Sequence, residues 1–313
     1  MHLMSMVEYQ RVILADSVRN SVFAKALQQV IVPGCTVLDI GSGTGFLAFL
    51  AKKMGAERCI LIERDPEYVR LSQEIGKKNN MRGCTFVTGH STDVREAIAA
   101  DVIVSETLGN FAYEENIIET LRDARRFLKP GGIMLPQGIT QCIAPVTGKQ
   151  FFEEVTSWDR IGQKLDFSPA REQSINNVYV RAIAPRDLHD FPRSVRIWDT
   201  VDLCAAKNES VRRGEVEWIF EDSATIFGFS LFWECVLVPG ITISTSPVSP
   251  PTHWQQIYLP VRSPLRMGAG ETLHLSVTSD SRLAIKINVE WTYERRGKDG
   301  KILDRQTLDM RRG

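Results

Sequence analysis

The stretch TVLDIGSGTGFLAFLAKKMG, residues 36–55, sets the architecture of the first half of the chain. A short apolar run ends at Asp39 and Ile40, glycines follow at 41, 43 and 45, and an amphipathic run closes on Gly55. A strand, a tight turn and a helix in that order open a β-α-β unit. The glycines let the backbone turn sharply and approach a ligand, while the next helix offers its N-terminus. Working outward, RCILIER (58–64) reads as a second strand and PEYVRLSQEIGKKNN (66–80) as a helix. CTFVTG (84–89) and DVIVSE (101–106) complete a parallel, doubly wound sheet. Ahead of it, VEYQRVILADSVRNSVFAKALQQVI (7–31) reads as one long helix.

The bulk properties exclude several classes. Two domains fit in 313 residues, and 38 basic residues balance 38 acidic ones, without the basic surplus of a nucleic-acid binder. The six cysteines are scattered, with no C-x-x-C and no Cys/His cluster, so neither a metal site nor a disulfide framework is expected. No apolar stretch approaches the ~20 residues of a membrane helix, and no signal peptide opens the chain. The expected location is cytoplasmic.

The glycine loop narrows the ligand. A dinucleotide fingerprint requires glycine at position 46, where this chain has Phe46. Glu63 closes the second strand, where a carboxylate can accept hydrogen bonds from both hydroxyls of a ribose. The G-x-G-x-G loop after Asp39 resembles the S-adenosylmethionine loop of class I methyltransferases. Backbone at Ser91 and Thr92, after the third strand, is expected beside the adenine.

SETLGNFAYEEN, residues 105–116, lies where a parallel sheet binds its ligand. Glu106 and Glu115 are either solvated loop acids or two walls of a site for a cation. A guanidinium, planar and with five donors, matches such a pair. Further on, STSPVSPPTHWQQ (244–256) interrupts an alternating β region and carries Thr252, His253 and Trp254.

Together these motifs resemble the protein arginine methyltransferases: SETLGNFAYEEN their double-glutamate loop, THW their THW loop. Gln10, Ile13, Asp16 and Arg19, spaced three apart, match the family's first active-site helix, and the likeness continues through LKPGGIMLPQG (128–138). It implies that Arg19 holds the donor's carboxylate, that Gly41, Gly43 and Gly45 cradle the donor, and that Glu63 binds its ribose. It also implies that Glu106 and Glu115 clamp the acceptor guanidinium, that His253 pairs with Asp16, and that Trp254 packs behind. Ile13 and Asn110 then line the acceptor pocket. His2, His90, His189 and His274 are expected to be structural or solvated.

The departures concern substrate. Thr107, Leu108 and Asn110 stand where the family usually has Trp, Met and Tyr. Gln10 and Ile13 replace a histidine and a methionine, and the aromatic Y-F-x-x-Y lid is missing from MHLMSMVE (1–8).

From about residue 140 the pattern alternates with period two in IFGFSLFWECVLVPGITIS (226–244), ETLHLSVTS (271–279) and RLAIKINVEWTYE (282–294), predicting antiparallel strands. Asp299-Gly300 marks a hairpin. Phe227, Phe229, Trp233 and Trp291 are expected in its core. The expected organisation is α/β: a helical segment (1–33), a Rossmann-like methyltransferase domain (34–140) and a β-barrel-like domain (141–313). The insert near 160–190, loop-rich by pattern, matches the family's dimerisation arm, so the resemblance implies a homodimer. The expected reaction is methyl transfer from S-adenosylmethionine to a guanidino nitrogen of arginine in a protein or peptide. The alternatives are a small-molecule N- or O-methyltransferase on this scaffold and a non-catalytic donor-binding subunit.

Overall fold

Residues 6–313 are described by the computed structural model. Residues 1–5, with His2 and most of the segment matching the absent lid, lie outside the described residues. The N-terminal region forms two helices, α1 (Met6–Ala15) and α2 (Ser17–Val30), where the pattern predicts one. The break is at Asp16, whose backbone is extended and whose carboxylate accepts the Arg19 N–H at 2.9 Å. An aspartate that caps a new helix competes with continuation of the old one. Asn20 reinforces the joint by donating to the Leu14 carbonyl at 2.8 Å. Gln10 and Ile13 therefore sit on a different helix from Arg19.

The first sheet has five parallel strands: β1 (Thr36–Ile40), β2 (Arg58–Glu63), β3 (Cys84–Thr88), β4 (Ala100–Val104) and β5 (Leu128–Leu135), in the order β3-β2-β1-β4-β5. Helices α3 (Phe46–Lys53), α4 (Pro66–Lys78) and α5 (Ile117–Ala124) connect them. Leu38, Ile40, Ile60, Ile62, Val102 and Val104 are all buried, as in strands covered on both faces. The strand order reverses between β1 and β4, and a crevice beyond such a reversal is where these sheets bind ligands.

The second half is antiparallel. After β6 (Gly138–Val146) come α6 (Lys149–Val155), α7 (Ser168–Ile175) and β7 (Tyr179–Arg181). Then follow β8 (Arg196–Asp202), β9 (Val211–Ile219), β10 (Ala224–Val238), β11 (Ile241–Ser244) and β12 (Gln256–Met267). The chain ends with β13 (Thr272–Asp280), β14 (Asn288–Arg296) and β15 (Ile302–Asp309). One sheet runs β7-β12-β10-β6-β8 with β11 beside β10, and the other β15-β14-β13-β9. Trp218 of β9 stacks on Phe229 of β10 at 5.9 Å, joining the two.

Phe229, Trp233 and Trp291 are buried, whereas Phe227 is only half-buried, against Phe152 of α6. The Asp299-Gly300 turn joins β14 to β15. Residues 282–287, expected to be strand, are a loop, and β14 starts at Asn288. The insert is more ordered than its pattern suggests. Arg262 of β12 forks onto Glu172 at 2.5 and 2.6 Å and holds α7, and Trp158 stacks on Phe167 at 6.2 Å.

Candidate active site

Three elements meet beyond the carboxyl ends of β1, β2 and β4. The first is the glycine loop. Gly45 is left-handed (φ 82°) and starts α3, and a Cβ there would meet the Phe49 ring at 2.7 Å, so only glycine fits. Glu63, at the end of β2, accepts the Gly43 N–H and the Asp65 N–H at 2.9 Å each. Asp39 is buried beneath the loop and accepts the Ala48 N–H at 3.0 Å. Burial raises its carboxyl to about 7, with Glu63 and Glu106 adding to the effect and the Ala48 N–H and Arg19 opposing it. It braces the start of α3 from below. Arg126 donates to the Ser91 carbonyl at 2.8 Å, and Thr92 Oγ1 lies 2.8 Å from His90 Nδ1, so His90 caps this turn.

The Ser42 and Ser91 hydroxyls are buried without a hydrogen-bond partner. Orphaned buried hydroxyls ask for an explanation, and a polar ligand is one. With the glycine loop and Glu63 they fit a nucleoside-bearing donor such as S-adenosylmethionine.

The second element is the acidic loop. Ser105 ties it to the end of β1 by donating to the Ile40 carbonyl at 3.0 Å. Its three glutamates divide the work. Glu106 is paired with Arg19, whose Nε lies 2.7 Å from Oε2 and whose Nη2 contacts the same oxygen. Glu114 is spent on the loop itself, accepting the Asn110 and Phe111 N–H groups at 2.9 and 2.8 Å. That fold brings Glu114 against Gly109, where a Cβ would lie 2.1 Å from Glu114 Cγ. Glu115 has no hydrogen-bond or ion-pair partner among the described residues. Its side chain is exposed to solvent, yet it lies close enough to Glu106, Glu114 and Glu63 to feel their charges. Desolvation, followed by the charges of Glu106, Glu114 and Glu63, raises its carboxyl to about 7 against the opposing pull of Arg19.

The third element is the loop carrying Thr252, His253 and Trp254. Asp16 Oδ2 accepts the His253 N–H at 2.9 Å and faces His253 Nδ1 at 2.8 Å. Burial pushes the Asp16 carboxyl up, but hydrogen bonds from Arg19 and His253 outweigh it and hold it below the usual range. Trp254 is buried, donates Nε1–H to the Leu108 carbonyl at 2.5 Å, and accepts from Asn110 Nδ2 at 2.5 Å. Trp233 packs edge-on against Trp254 at 5.0 Å and donates to the Asn110 carbonyl at 3.1 Å. Asn110 and Trp254 thus staple two loops together, and their polar groups are committed to that joint. Ile13 is half-buried on α1.

The structure therefore gathers Asp16, Arg19, Glu63, Glu106, Glu115 and His253 into one region. Arg19 and Glu106, to which the resemblance gives different ligands, pair with each other. Several supports have no sequence signal. Tyr113 donates to Asp199 at 2.8 Å, Gln141 to the Phe111 carbonyl at 2.6 Å, and Asn116 to the Ser281 carbonyl at 2.7 Å. Tyr9 of α1, half exposed, stands near the acids without a sequence signal. Its phenol is raised to about 12 by burial and by the charges of Glu115, Glu106 and Glu114.

The chain is similar to known proteins over most of its length. Residues 31–184 match the family described as "Methyltransferase domain", and residues 139–297 match "Arginine methyltransferase oligomerization subdomain". Protein arginine N-methyltransferase 6 of Xenopus tropicalis is 32% identical over 79% of this chain and 76% of its own length. The arginine N(omega)-methyltransferase of Streptomyces achromogenes subsp. streptozoticus is 29% identical over 88% of this chain and 77% of its own. Among solved structures, a chain of the Trypanosoma brucei PRMT1 enzyme–prozyme heterotetrameric complex with AdoHcy superposes with a TM-score of 0.82. It has 23% identity and covers 96% of this chain and 98% of its own. The fold, the methyltransferase domain and the level of identity lead to one conclusion: the chain belongs to the protein arginine N-methyltransferase family.

Proposed function

We propose that the enzyme moves a methyl group from S-adenosylmethionine to a terminal guanidino nitrogen of arginine in a protein or peptide, with Glu106 and Glu115 as the guanidinium clamp. The observation that carries this reading is the Arg19–Glu106 pair. Two nitrogens of one guanidinium already rest on Glu106 Oε2, and a second carboxylate, Glu115, stands unpartnered across the loop.

When bound, S-adenosylmethionine supplies an electrophilic methyl on a sulfonium. Gly43 and its neighbours, Glu63, Ser42 and Ser91 would hold it, and Arg19 would take its carboxylate. That exchange releases Glu106 to face the acceptor with Glu115. Two carboxylates fix the fork and concentrate its positive charge away from the attacking nitrogen, which is positioning and electrostatics more than covalent chemistry. The nitrogen loses one proton for each methyl gained. His253 is the acceptor we assign, its Nδ1 held by Asp16 and its Nε2 uncommitted.

Two further parts of the reading concern acceptor and assembly. Free arginine is the second acceptor, favoured by the similarity to the Streptomyces enzyme. A homodimer is favoured by the oligomerization subdomain match and by exposed Ile161 and Leu165 between α6 and α7. An apolar depression between α3 and α4, lined by Phe46, Phe49, Leu50, Ile75 and Met81, suits such a projection from a second copy.

The test is transfer of labelled methyl from S-adenosylmethionine to three acceptors: arginine-rich peptides, the same peptides with lysine at every arginine, and free arginine. Mass spectrometry identifies the methylated atom. Label on guanidino nitrogens of the arginine peptides is the expected result. Label on free arginine alone selects the second acceptor, and label on the lysine peptides would remove the clamp from consideration.

A further inference from the structure

The parallel sheet carries a pair of thiols for which methyl transfer has no use. Cys59 of β2 and Cys84 of β3 are register partners on neighbouring parallel strands, so their side chains leave the sheet on one face. Adjacent strands lie about 4.8 Å apart, inside the ~4.4–6.8 Å Cα separation of disulfides. The surroundings of the two thiols differ. Cys59 is fully buried beneath α3, with Sγ 3.4 Å from the Ala48 carbonyl oxygen. Cys84 is partly exposed on β3, the edge strand of its sheet. Close by is Lys52, whose ammonium donates to the Ala56 and Glu57 carbonyls at 2.8 Å each and lies 3.3 Å from where a Cβ on Gly83 would be.

We propose that Cys84 and Cys59 form a dithiol that responds to hydroperoxides, with Cys84 attacking and Cys59 resolving. The Cys84 thiolate attacks one peroxide oxygen, forming an S–O bond as the O–O bond breaks, and the departing hydroxide takes up the proton that the Cys84 thiol had released and leaves as water. Cys59 sulfur then attacks the sulfenic acid at Cys84. An S–S bond forms, the S–O bond breaks, and hydroxide leaves as a second water with the Cys59 proton. Two thiols are oxidised by two electrons and one hydrogen peroxide is reduced to two waters.

Reactive cysteines are partly exposed, near a cation and beside a resolving thiol. Only this pair combines those features among the described residues. The neighbouring Cys59 thiol, helped by the Lys52 charge, draws the Cys84 thiol down, while the Cys84 neighbour and burial push Cys59 up. Cys142 and Cys204 are also partly exposed, but burial pushes both upward.

The experiment treats the full chain with hydrogen peroxide, blocks free thiols with maleimide and maps peptides by mass spectrometry. The expected product is a Cys59–Cys84 linked peptide, two hydrogens lighter and reversed by dithiothreitol, formed before any change at Cys142 or Cys204. Cys59→Ser should leave a sulfenic acid at Cys84 that dimedone traps. Should that variant fail to fold, alkylation of the wild type decides: Cys84 should react with iodoacetamide at pH 7 about tenfold faster than Cys142 or Cys204. Equal reactivity of the three, or oxidation elsewhere first, overturns the proposal.

Discussion

The glycine loop and the acidic loop lie side by side but are built differently. The glycine loop is held from within its own sheet: Gly43 leans on Glu63 twenty residues away, and Ala48 on Asp39 nine residues away. The acidic loop is tied to its own half through Ile40 and Arg19, but most of its long-range holds come from across the molecule. Its partners Gln141, Asp199, Trp233, Trp254 and Ser281 all belong to the antiparallel half. One half of the chain thus suffices to shape the donor side, whereas the acceptor side exists only when both halves are assembled. Donor binding and turnover should therefore be separable by mutation.

Glu115→Gln makes the largest separation. It removes a charge with no hydrogen-bond or ion-pair partner among the described residues, so the loop should keep its shape while the acceptor loses half its clamp. Turnover should fall on the order of 10³-fold, the scale of losing one preorganised electrostatic contact. Donor affinity, measured by calorimetry, should stay within about twofold. Turnover above a tenth of the wild type would remove Glu115 from the clamp.

Next come changes that leave the acids in place and loosen their supports. Gly109→Ala puts a methyl 2.1 Å from Glu114 Cγ. Overpacking of this kind costs about 1–3 kcal/mol and should displace Glu115 through its neighbour. Tyr113→Phe removes one hydrogen bond to Asp199, which keeps its forked contact with Arg212 at 2.7 and 2.9 Å. Its cost should be about 2 kcal/mol, read by urea denaturation. Both variants should lower kcat with little change in donor affinity. An equal loss of donor binding would break the distinction between the loops.

This distinction also explains what could be read from the sequence. Strand, glycine turn and Glu63 follow one another within thirty residues, so local pattern locates them. Glu106 and Glu115 are legible as a candidate cation site from their place beyond a parallel strand, Asp16 and His253 only by resemblance, and the meeting of these groups depends on contacts spanning up to 237 residues. The division of labour between Glu114 and Glu115 was not legible, because identical neighbouring side chains differ only in which way the loop turns them. The helix break at Asp16 was missed for a related reason. Apolar spacing continues across it, and the capping role emerges once the carboxylate is seen on the Arg19 N–H.

Asp16 belongs to neither loop and ties the start of α2 to His253 in the third element of the site, so a subtler change sharpens the comparison. Asparagine is also a good N-cap. Asp16→Asn should keep α2 while weakening the hold on His253 Nδ1. Loss of one charge-assisted hydrogen bond, ~1.4 kcal/mol, corresponds to about tenfold in kcat. Donor affinity should stay within about twofold. A loss of kcat below twofold would reduce the Asp16–His253 pair to a structural tie.

The smallest effect is a stability difference with a definite sign. Glu115 has an ordinary carboxyl in the unfolded chain, near 4.3, and one raised to about 7 in the folded protein. Between those values the folded state binds more protons than the unfolded state, so stability falls as pH rises through the window. Above about 7 the full penalty of an unpaired, partly desolvated carboxylate is present, and below the unfolded value it is absent. Glu115→Gln carries no such charge. It should melt a degree or two above the wild type at pH 8 and level with it near pH 4.5, the gap being small because Glu115 retains contact with solvent. The same residue that turnover requires would then be one that folding at neutral pH tolerates at a cost, as expected of a site awaiting a cation. Adding a guanidinium ligand together with the donor should close the gap in favour of the wild type. A gap of the opposite sign at pH 8 without ligand would mean that Glu115 already has a partner in the folded protein.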